Sequence, residues 1–441
     1  MDKKVKPISC PNDLDISTTL DGKDALSPIE QAVPKCGEGV RGTKTICIYF
    51  DQNEYQSIIY SSTMFREFLD KAHSKHPELF PSGMSEGYAL DGMREPSVKL
   101  GICLRRIKIG DEVFSVCPSF VMPYMTGFTK DVENALLLRG VGVPYWILTH
   151  IFGRNDMYWY RMEMAFGRQS IVGTTVKRPE RLPKDLLADE KHTSRDGEKA
   201  YVATTVGENC VLGASVCSSA GTVSLTKGYG TFAEEVRNVD PEFSPETVNT
   251  DGWEATQQAW TTLFPSVVVI LCFLHGFIKI RDRCKKLGSL FDEICTLVWN
   301  AYHAKTKRSF AQRIRRLREW AGKALSPGVA LEKILALCAK GHLFGLHYDY
   351  PNARRTSNML DRLMRWLDRS LFNRQYFHRS SGAAELAVRS WAILANYRPY
   401  SPRAQRKGEG RCAAERLNGF RYHDNWLVNL RVASSMGGFR Q

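Results

Sequence analysis

A carboxylate at the end of a short β-prone run is the first feature of this sequence that could do chemistry. Thr247-Val-Asn-Thr250 leads directly into Asp251, and a β-branched run at 267–270 follows after an amphipathic stretch at 255–263. A strand, a helix and a second strand in this order, with an acid at the end of the first strand, predict one ligand of a metal site. Alone, Asp251 is also compatible with an ordinary crossover, so the function depends on whether other acids join it.

Two further aspartates stand where such a site needs them. Asp189 directly follows an apolar run at 186–188, and Asp361 lies on a predicted helix at 356–372. Carboxylate oxygens are preferred ligands of Mg²⁺ or Mn²⁺, and three acids suffice when phosphate and water complete the coordination. Two divalent ions a few Å apart assist in-line displacement at a phosphodiester. The three acids therefore predict metal-dependent cutting or joining of nucleic acid.

The sequence around these acids predicts one mixed β-sheet. Three apolar runs separated by two turn sequences indicate an antiparallel meander. The runs are residues 186–189, 200–206 and 211–216, and the turns are Ser194-Arg-Asp-Gly and Gly207-Glu-Asn. A helix-prone stretch at 231–239 and the crossovers around Asp251 follow, so the last two strands are expected to be parallel. This order is that of a ribonuclease H-like fold, with acids on the first strand, after the fourth and on a late helix.

Three short motifs resemble those of Mutator-like transposases and their prokaryotic insertion-sequence relatives. Asp251-Gly252, Leu263-Phe-Pro265 and Cys272-x-x-His275 together are similar to the second block of that family. Thr356-Ser-Asn-Met-Leu-Asp361 resembles its third block, and Leu187-Ala-Asp189-Glu-Lys-His192 stands at the position of the first. The resemblance covers residues 182–402, about half the chain.

The resemblance implies a DDE-type transposase with a defined set of ligands. Asp189 would bridge two Mg²⁺ or Mn²⁺ ions, while Asp251 and Asp361 would each help to hold one. The implied reaction is hydrolytic nicking of DNA at mobile-element ends, followed by strand transfer by a 3′-hydroxyl. The family usually has glutamate as its third acid, and Asp361 is one methylene shorter. Asp368, two turns later, is the alternative, but the Thr-x-Asn motif precedes Asp361.

Cys272 and His275 are expected to support the active site. Their i, i+3 spacing could coordinate a metal, but no second Cys/His pair stands at zinc-like spacing. We therefore expect Cys272 to pack in the core and His275 to hydrogen-bond near the active site or orient DNA. No glycine-rich phosphate loop follows a strand, so no nucleotide cofactor is expected.

Composition and helix signals divide the chain. The predicted parts are a flexible lead-in (1–43), a small α+β module (44–125), a helix-turn-helix-like unit (126–180), a catalytic domain (182–402) with a helical insertion (291–345), and a basic C-terminal tail (403–441). The helix-turn-helix-like unit has three short predicted helices, and its third carries Tyr158 and Arg161 as candidate DNA contacts. A generic three-helix packing unit is the alternative.

The net charge of +14 is unevenly distributed and predicts a nucleic-acid partner. Residues 351–441 hold 17 Lys and Arg against six Asp and Glu, and residues 305–318 hold seven basic residues and no acid. The candidate phosphate contacts in these segments are Arg313, Arg315, Arg316, Arg362 and Arg365. A solvated helix face is the alternative for any single run.

Cysteine usage and hydropathy predict an intracellular protein, cytoplasmic or nucleoid-associated if its source is prokaryotic. The 12 cysteines form no CxxC pair, and several lie in apolar runs, which is typical of buried free thiols in a reducing compartment. The polar N-terminus shows no signal peptide. The longest apolar stretch, 263–280, is interrupted by Pro265 and Lys279, so no membrane span is expected.

The expected partners are DNA, both element ends and target, and further copies of this chain, since transposases of this type pair two ends as homo-oligomers. Two alternatives remain at this point. One is a non-catalytic, transposase-derived DNA-binding protein that uses only the basic surface. The other is a nuclease of the same fold that acts on RNA.

Overall fold

Two mixed β-sheets organise the chain in a computed structural model that describes residues 43–378, 380–408 and 410–439. The predicted lead-in lies outside the described residues except at Thr43. The strands are β1 (Thr45–Ile48), β2 (Ala89–Met93), β3 (Arg105–Ile109), β4 (Glu112–Pro118), β5 (Asp185–Arg195), β6 (Glu198–Gly207), β7 (Cys210–Cys217), β8 (Thr247–Thr250) and β9 (Val268–Leu271).

The helices surround and connect these sheets. They are α1 (Tyr55–Tyr60), α2 (Ser62–Lys75), α3 (Thr129–Gly140), α4 (Tyr145–Phe152), α5 (Asp156–Met164), α6 (Ile171–Thr175), α7 (Thr222–Val239), α8 (Glu254–Leu263), α9 (Phe273–Cys284), α10 (Ser289–Tyr302), α11 (Lys307–Ala324), α12 (Val329–Ala339), α13 (Gly341–Gly345), α14 (Asn358–Asn373), α15 (Ser381–Tyr397), α16 (Pro402–Arg406), α17 (Ala413–Asn418) and α18 (Trp426–Ala433). Within the described ranges, no helix has the length and apolarity needed to cross a bilayer.

The first sheet has the strand order β1-β4-β3-β2 and belongs to the N-terminal part of the chain. β3 and β4 form an antiparallel hairpin around Gly110-Asp111, and β1 pairs with β4 in parallel. Phe65 and Leu69 of α2 pack into the same apolar cluster as Ile46 and Ile107. β2 was not predicted, because its residues are half-buried or exposed and show no apolar alternation.

The second sheet has the order β7-β6-β5-β8-β9. β5, β6 and β7 are antiparallel neighbours, whereas β8 runs parallel to β5 and β9 runs parallel to β8. The two hairpins turn at Asp196-Gly197 and Glu208-Asn209, and all four residues have positive φ, as two-residue hairpins of this twist require. The element order and strand directions predicted from the sequence are present.

Both faces of the second sheet are covered by helices, because alternate strand residues point to opposite sides. Leu186 and Ala188 of β5 belong to the cluster packed by α7 and α8. Leu187 belongs to the cluster packed by α14 and α15. α7 lies close to the sheet at Gly228, where a Cβ atom would be 2.4 Å from the Sγ of Cys217.

The three predicted helices around 126–164 are present as α3, α4 and α5, and they share a core with the second sheet. Trp159 of α5 is buried in the same cluster as residues of α14 and α15. The buried carboxylate of Glu163 accepts hydrogen bonds from Arg139 and from the Tyr145 hydroxyl and pairs with Arg374, just beyond α14. Burial opposes ionisation, but Arg374 and Arg139 hold the pKa of Glu163 below its usual value. These helices therefore share the apolar core of the second sheet and do not form a separate one.

The C-terminal segment, predicted as a basic tail, instead contributes two helices to the interior. Leu427 and Leu430 of α18 are fully buried in the cluster on the α14–α15 side of the second sheet. Val432 and Met436 join the cluster of the first sheet. The prediction of a tail rested on the net charge of this segment and did not consider the apolar residues that alternate with the basic ones. The segment joins the two sheets.

The predicted helical insertion is also present. Helices α10 to α13 lie between β9 and α14 in sequence and, together with α9, enclose an apolar cluster of their own. Its fully buried members include Ile294, Val298, Leu317 and Ile334. The insertion thus separates the second strand of the crossover from the helix that carries Asp361.

Candidate metal centre

Asp189 and Asp251 lie side by side because of the register between two parallel strands. Leu187 of β5 pairs with Asn249 of β8. Asp189 lies two residues further along β5, and Asp251 is the first residue after β8, two positions beyond Asn249. A sheet with this register places both carboxylates at one edge. The peptide N–H of Glu190 donates to Asp189 Oδ1 at 2.9 Å.

The segment before α14 is held against the ends of β8 and β9, and this brings Asp361 to the same edge. The Nδ2 of Asn249 donates to the carbonyl of Arg354 at 2.9 Å. The peptide N–H of Phe273 donates to the carbonyl of Arg355 at 3.1 Å. Asp361 lies in the first turn of α14, directly after this segment.

Cys272 positions the start of α14. Its buried sulfur accepts a hydrogen bond from the peptide N–H of Ser357 at 3.3 Å. The Ser357 hydroxyl in turn donates to Asp361 Oδ2 at 3.2 Å. Burial raises the pKa of Cys272, but hydrogen bonds from His275 and Ser357 outweigh it, so the net pKa is lowered. Cys272 is packed in the core, as predicted.

The three predicted acids converge in two groups that share Asp189. Single ligand atoms of Asp189, His275 and Asp361 lie within 4.8 Å of one another. Those of Asp189, Glu190 and Asp251 do so as well. Asp368, the alternative third acid, forms an ion pair with Lys191 at 2.6 Å.

The centre concentrates negative charge. Burial raises the pKa of Asp189 to about 7, and the neighbouring Asp251 and Glu190 act in the same direction, while His275 opposes them. Interaction with the Cys272 side chain raises the pKa of His275 to about 9 against the effect of burial. A cation among these carboxylates would lower their electrostatic cost.

Glu190 was not among the site residues predicted from the sequence. Its Oε1 accepts hydrogen bonds from the hydroxyls of Tyr229 on α7 and Thr256 on α8, both at 2.6 Å. Glu190 therefore ties β5 to the two helices on that face, and burial raises its pKa. The available signal was its position, since Leu186 and Ala188 make this face of β5 apolar.

The donor set fits a hard divalent cation. Each group supplies at least two carboxylates, the ligands that Mg²⁺ and Mn²⁺ prefer. One ring nitrogen of His275 lies within 4.8 Å of the ligand oxygens of Asp189 and Asp361, which makes the imidazole a further candidate ligand. Neither of the two groups found among the described residues contains a cysteine, and this distinguishes them from a zinc–thiolate site.

The predicted DNA contacts lie on three helices. Arg161 on α5, Arg315 and Arg316 on α11, and Arg362 and Arg365 on α14 are exposed, whereas Tyr158 and Arg313 are half-buried. Two of them have partners within α10 and α11, because Arg313 donates to the Asn300 carbonyl and Arg315 pairs with Glu319 at 3.5 Å. Arg362 and Arg365 share a helix with Asp361, so among the predicted DNA contacts they are the nearest to the acids in sequence.

Neither a scan against protein-family models nor a search of curated proteins produced a match for this chain. The function is therefore inferred from the geometry of the centre and from the sequence around it.

Proposed function

We propose that this protein is a metal-dependent DNA transposase whose second sheet and covering helices form a ribonuclease H-like catalytic domain. The observation that carries the proposal is the convergence of Asp189, Asp251 and Asp361 from three distant parts of the chain. One acid is on the central strand, one follows the adjacent parallel strand, and one is on a helix after a long insertion. This is the arrangement that the transposase resemblance implies.

The proposed chemistry is phosphodiester hydrolysis and strand transfer. Mg²⁺ or Mn²⁺ held by the three carboxylates would supply activation of the attacking oxygen and neutralisation of the leaving one. The chain itself fixes the carboxylates, through strand register for Asp189 and Asp251 and through the Cys272–Ser357 contact for Asp361. His275 places an imidazole between two of the acids.

DNA is the proposed substrate and homo-oligomerisation the proposed working state. The net charge of +14 and the exposed arginines of α11 and α14 support binding of phosphate backbones. Because transfer requires two ends in one complex, a second copy of the chain is the partner that the resemblance implies. An intracellular location is proposed from the free thiols of the described cysteines.

A plasmid assay tests the proposal. The substrate is supercoiled DNA that carries the sequences flanking the coding region, incubated with Mg²⁺, with Mn²⁺ or with a chelator. Wild type should nick and cut it only with metal, and Asp251→Asn should lose cleavage by at least 100-fold while binding DNA. The control is Asp282→Asn, an exposed aspartate on α9 paired with Arg281, which should behave as wild type.

The same assay separates the alternatives. Binding without cleavage by wild type under every metal condition would indicate a non-catalytic DNA-binding protein. Faster cleavage of an RNA–DNA hybrid than of the plasmid would indicate a nuclease acting on RNA. Full activity of Asp251→Asn would exclude the proposed centre.

A further inference from the structure

Three aromatic side chains lie together next to the candidate metal centre, and we refer to Trp253, His192 and Tyr201 as the aromatic shelf. His192 and Tyr201 are cross-strand partners on β5 and β6, with ring centroids 4.9 Å apart. The rings of His192 and Trp253 are 6.1 Å apart. The shelf therefore extends from the sheet to the start of α8.

Two of the three rings of the shelf are exposed, and Tyr201 is half-buried against the apolar cluster beneath them. Trp253 is 42% exposed and His192 is also exposed, whereas Trp260, two turns along α8, is fully buried. The uncovered part of the Trp253 indole, together with the His192 ring, offers a flat apolar face to a ligand.

The shelf is fixed relative to the acids. The peptide N–H of Trp253 donates to Asp251 Oδ1 at 2.8 Å. His192 lies two residues after Glu190 on β5, so it projects from the same face as the glutamate that is grouped with Asp189 and Asp251. A ligand whose charged group lies at the carboxylate centre can therefore reach the rings with an adjoining flat group.

We propose that the aromatic shelf stacks an unpaired nucleobase of the nucleotide adjoining the phosphate held at the metal centre. The inference rests on the proposed function, because the phosphate is placed by Asp189 and Asp251. A base is attached to the sugar that adjoins its phosphate, and Trp253 is two residues from Asp251, so the base next to the bound phosphate can meet the indole. Stacking on aromatic side chains accepts every base, which suits a strand end released by cleavage.

Oligonucleotide binding tests the shelf directly. The probes are fluorescein-labelled decathymidylate and an abasic chain with the same number of phosphates, titrated in Ca²⁺ buffer and followed by anisotropy. Equal phosphate number makes the electrostatic contribution the same for both. Wild type should bind the base-bearing probe roughly ten-fold more tightly. Trp253→Ala should reduce that preference to about two-fold, and Trp253→Phe should keep most of it.

Two further variants make the test specific. His192→Ala removes a second ring of the shelf and should also weaken the preference. Trp146→Ala removes an indole that is 63% exposed on α4 and should leave the preference at the wild-type value. Melting temperatures equal to that of wild type verify folding, since all three side chains are exposed.

The outcomes distinguish this inference from the proposed function. An unchanged preference in Trp253→Ala, no preference in wild type, or an equal loss in Trp146→Ala overturns the aromatic shelf, even if the protein cleaves DNA. A preference that depends on Trp253 and His192 supports the shelf as a base-binding surface. If that result accompanies no metal-dependent cleavage, the proposed function fails while base stacking stands.

Discussion

At the scale of single residues, the ionised carboxylate of Asp189 is destabilised by its surroundings, and its local hydrogen bonding only partly offsets this. Burial and two neighbouring carboxylates raise its pKa to about 7, and the one hydrogen bond from a backbone N–H compensates only in part. Cation-binding sites keep like charges close together because the bound cation offsets the repulsion between them. We infer that the repulsion among these carboxylates reflects the proposed metal binding.

Asp189→Asn should make the metal-free protein more stable. Removing one of the clustered charges is expected to raise the free energy of unfolding by about 1 kcal/mol. The same variant should lose the rise in melting temperature that Mg²⁺ gives wild type, because binding to the folded state is weakened. Thermal melts with and without Mg²⁺ measure both effects. Asp185→Asn on the same strand is the control, because Asp185 already accepts a bond from Thr247.

Cys272 acts on Asp361 through the backbone of Ser357. Cys272→Ala removes the hydrogen-bond acceptor with only a small loss of side-chain volume, so cleavage should fall at least ten-fold while DNA affinity stays constant. Cys272→Ser keeps an acceptor and should retain most activity. Cleavage rates, DNA affinity and the zinc content of the purified protein are measured together. Stoichiometric zinc that disappears in Cys272→Ser would show instead that the thiol is a zinc ligand.

At the scale of elements, α7 shows how a helix is fitted to a sheet. Gly228 and Gly230 both stand inside this helix, where glycine lowers helix stability. At Gly228 a Cβ atom would be 2.4 Å from Cys217 Sγ and 3.1 Å from Ala203 Cβ. At Gly230 the nearest side-chain atom is 3.9 Å away. Only the first glycine is required by packing.

The two glycines therefore predict opposite effects on stability. Gly228→Ala should lower the free energy of unfolding by about 1–3 kcal/mol, because α7 must move away from the sheet. Gly230→Ala should be neutral or stabilising by up to about 1 kcal/mol through helix propensity. Urea denaturation of both variants provides the comparison. Equal effects at the two positions would contradict the close approach of α7.

The strands around the acids could be predicted from sequence because each is apolar and bounded by a turn signal. The polar half of β5, from Glu190 to Arg195, could not, since pairing with β6 and not apolar content makes it a strand. Likewise, only residues 231–239 of α7 were predicted as helical, because two glycines lower the helix propensity of its first half. Ser357 and Glu190 were missed because their roles come from contacts across the fold.

At the scale of the whole molecule, α18 makes the two sheets interdependent. Its residues belong to the apolar clusters of both sheets, and Arg431 on α18 donates to the carbonyl of Val121 at 3.0 Å. The helices predicted as a separate DNA-binding unit are likewise anchored to α14 through Glu163. DNA bound at α5 and chemistry at Asp361 would therefore be linked by packed structure.

Leu430→Ala tests this interdependence. The side chain is fully buried, so the substitution should cost about 2–5 kcal/mol of unfolding free energy. Because α18 serves both sheets, calorimetry should show the main transition moving as a whole to lower temperature. Val329→Ala, at an exposed position on α12, should leave it in place. A shift of only part of the transition would show that the sheets unfold separately.

We propose that three carboxylates form one metal-dependent cleavage site, and variants of the two aspartates on α14 test this proposal most directly. Asp361 is grouped with Asp189 and His275, whereas Asp368 on the same helix pairs with Lys191. The measurement is the Mg²⁺-dependent cleavage rate of Asp361→Asn and of Asp368→Asn on the plasmid substrate. We expect a loss of at least 100-fold for the first and a near wild-type rate for the second. Comparable rates in the two variants, or a loss confined to Asp368→Asn, would contradict the proposal.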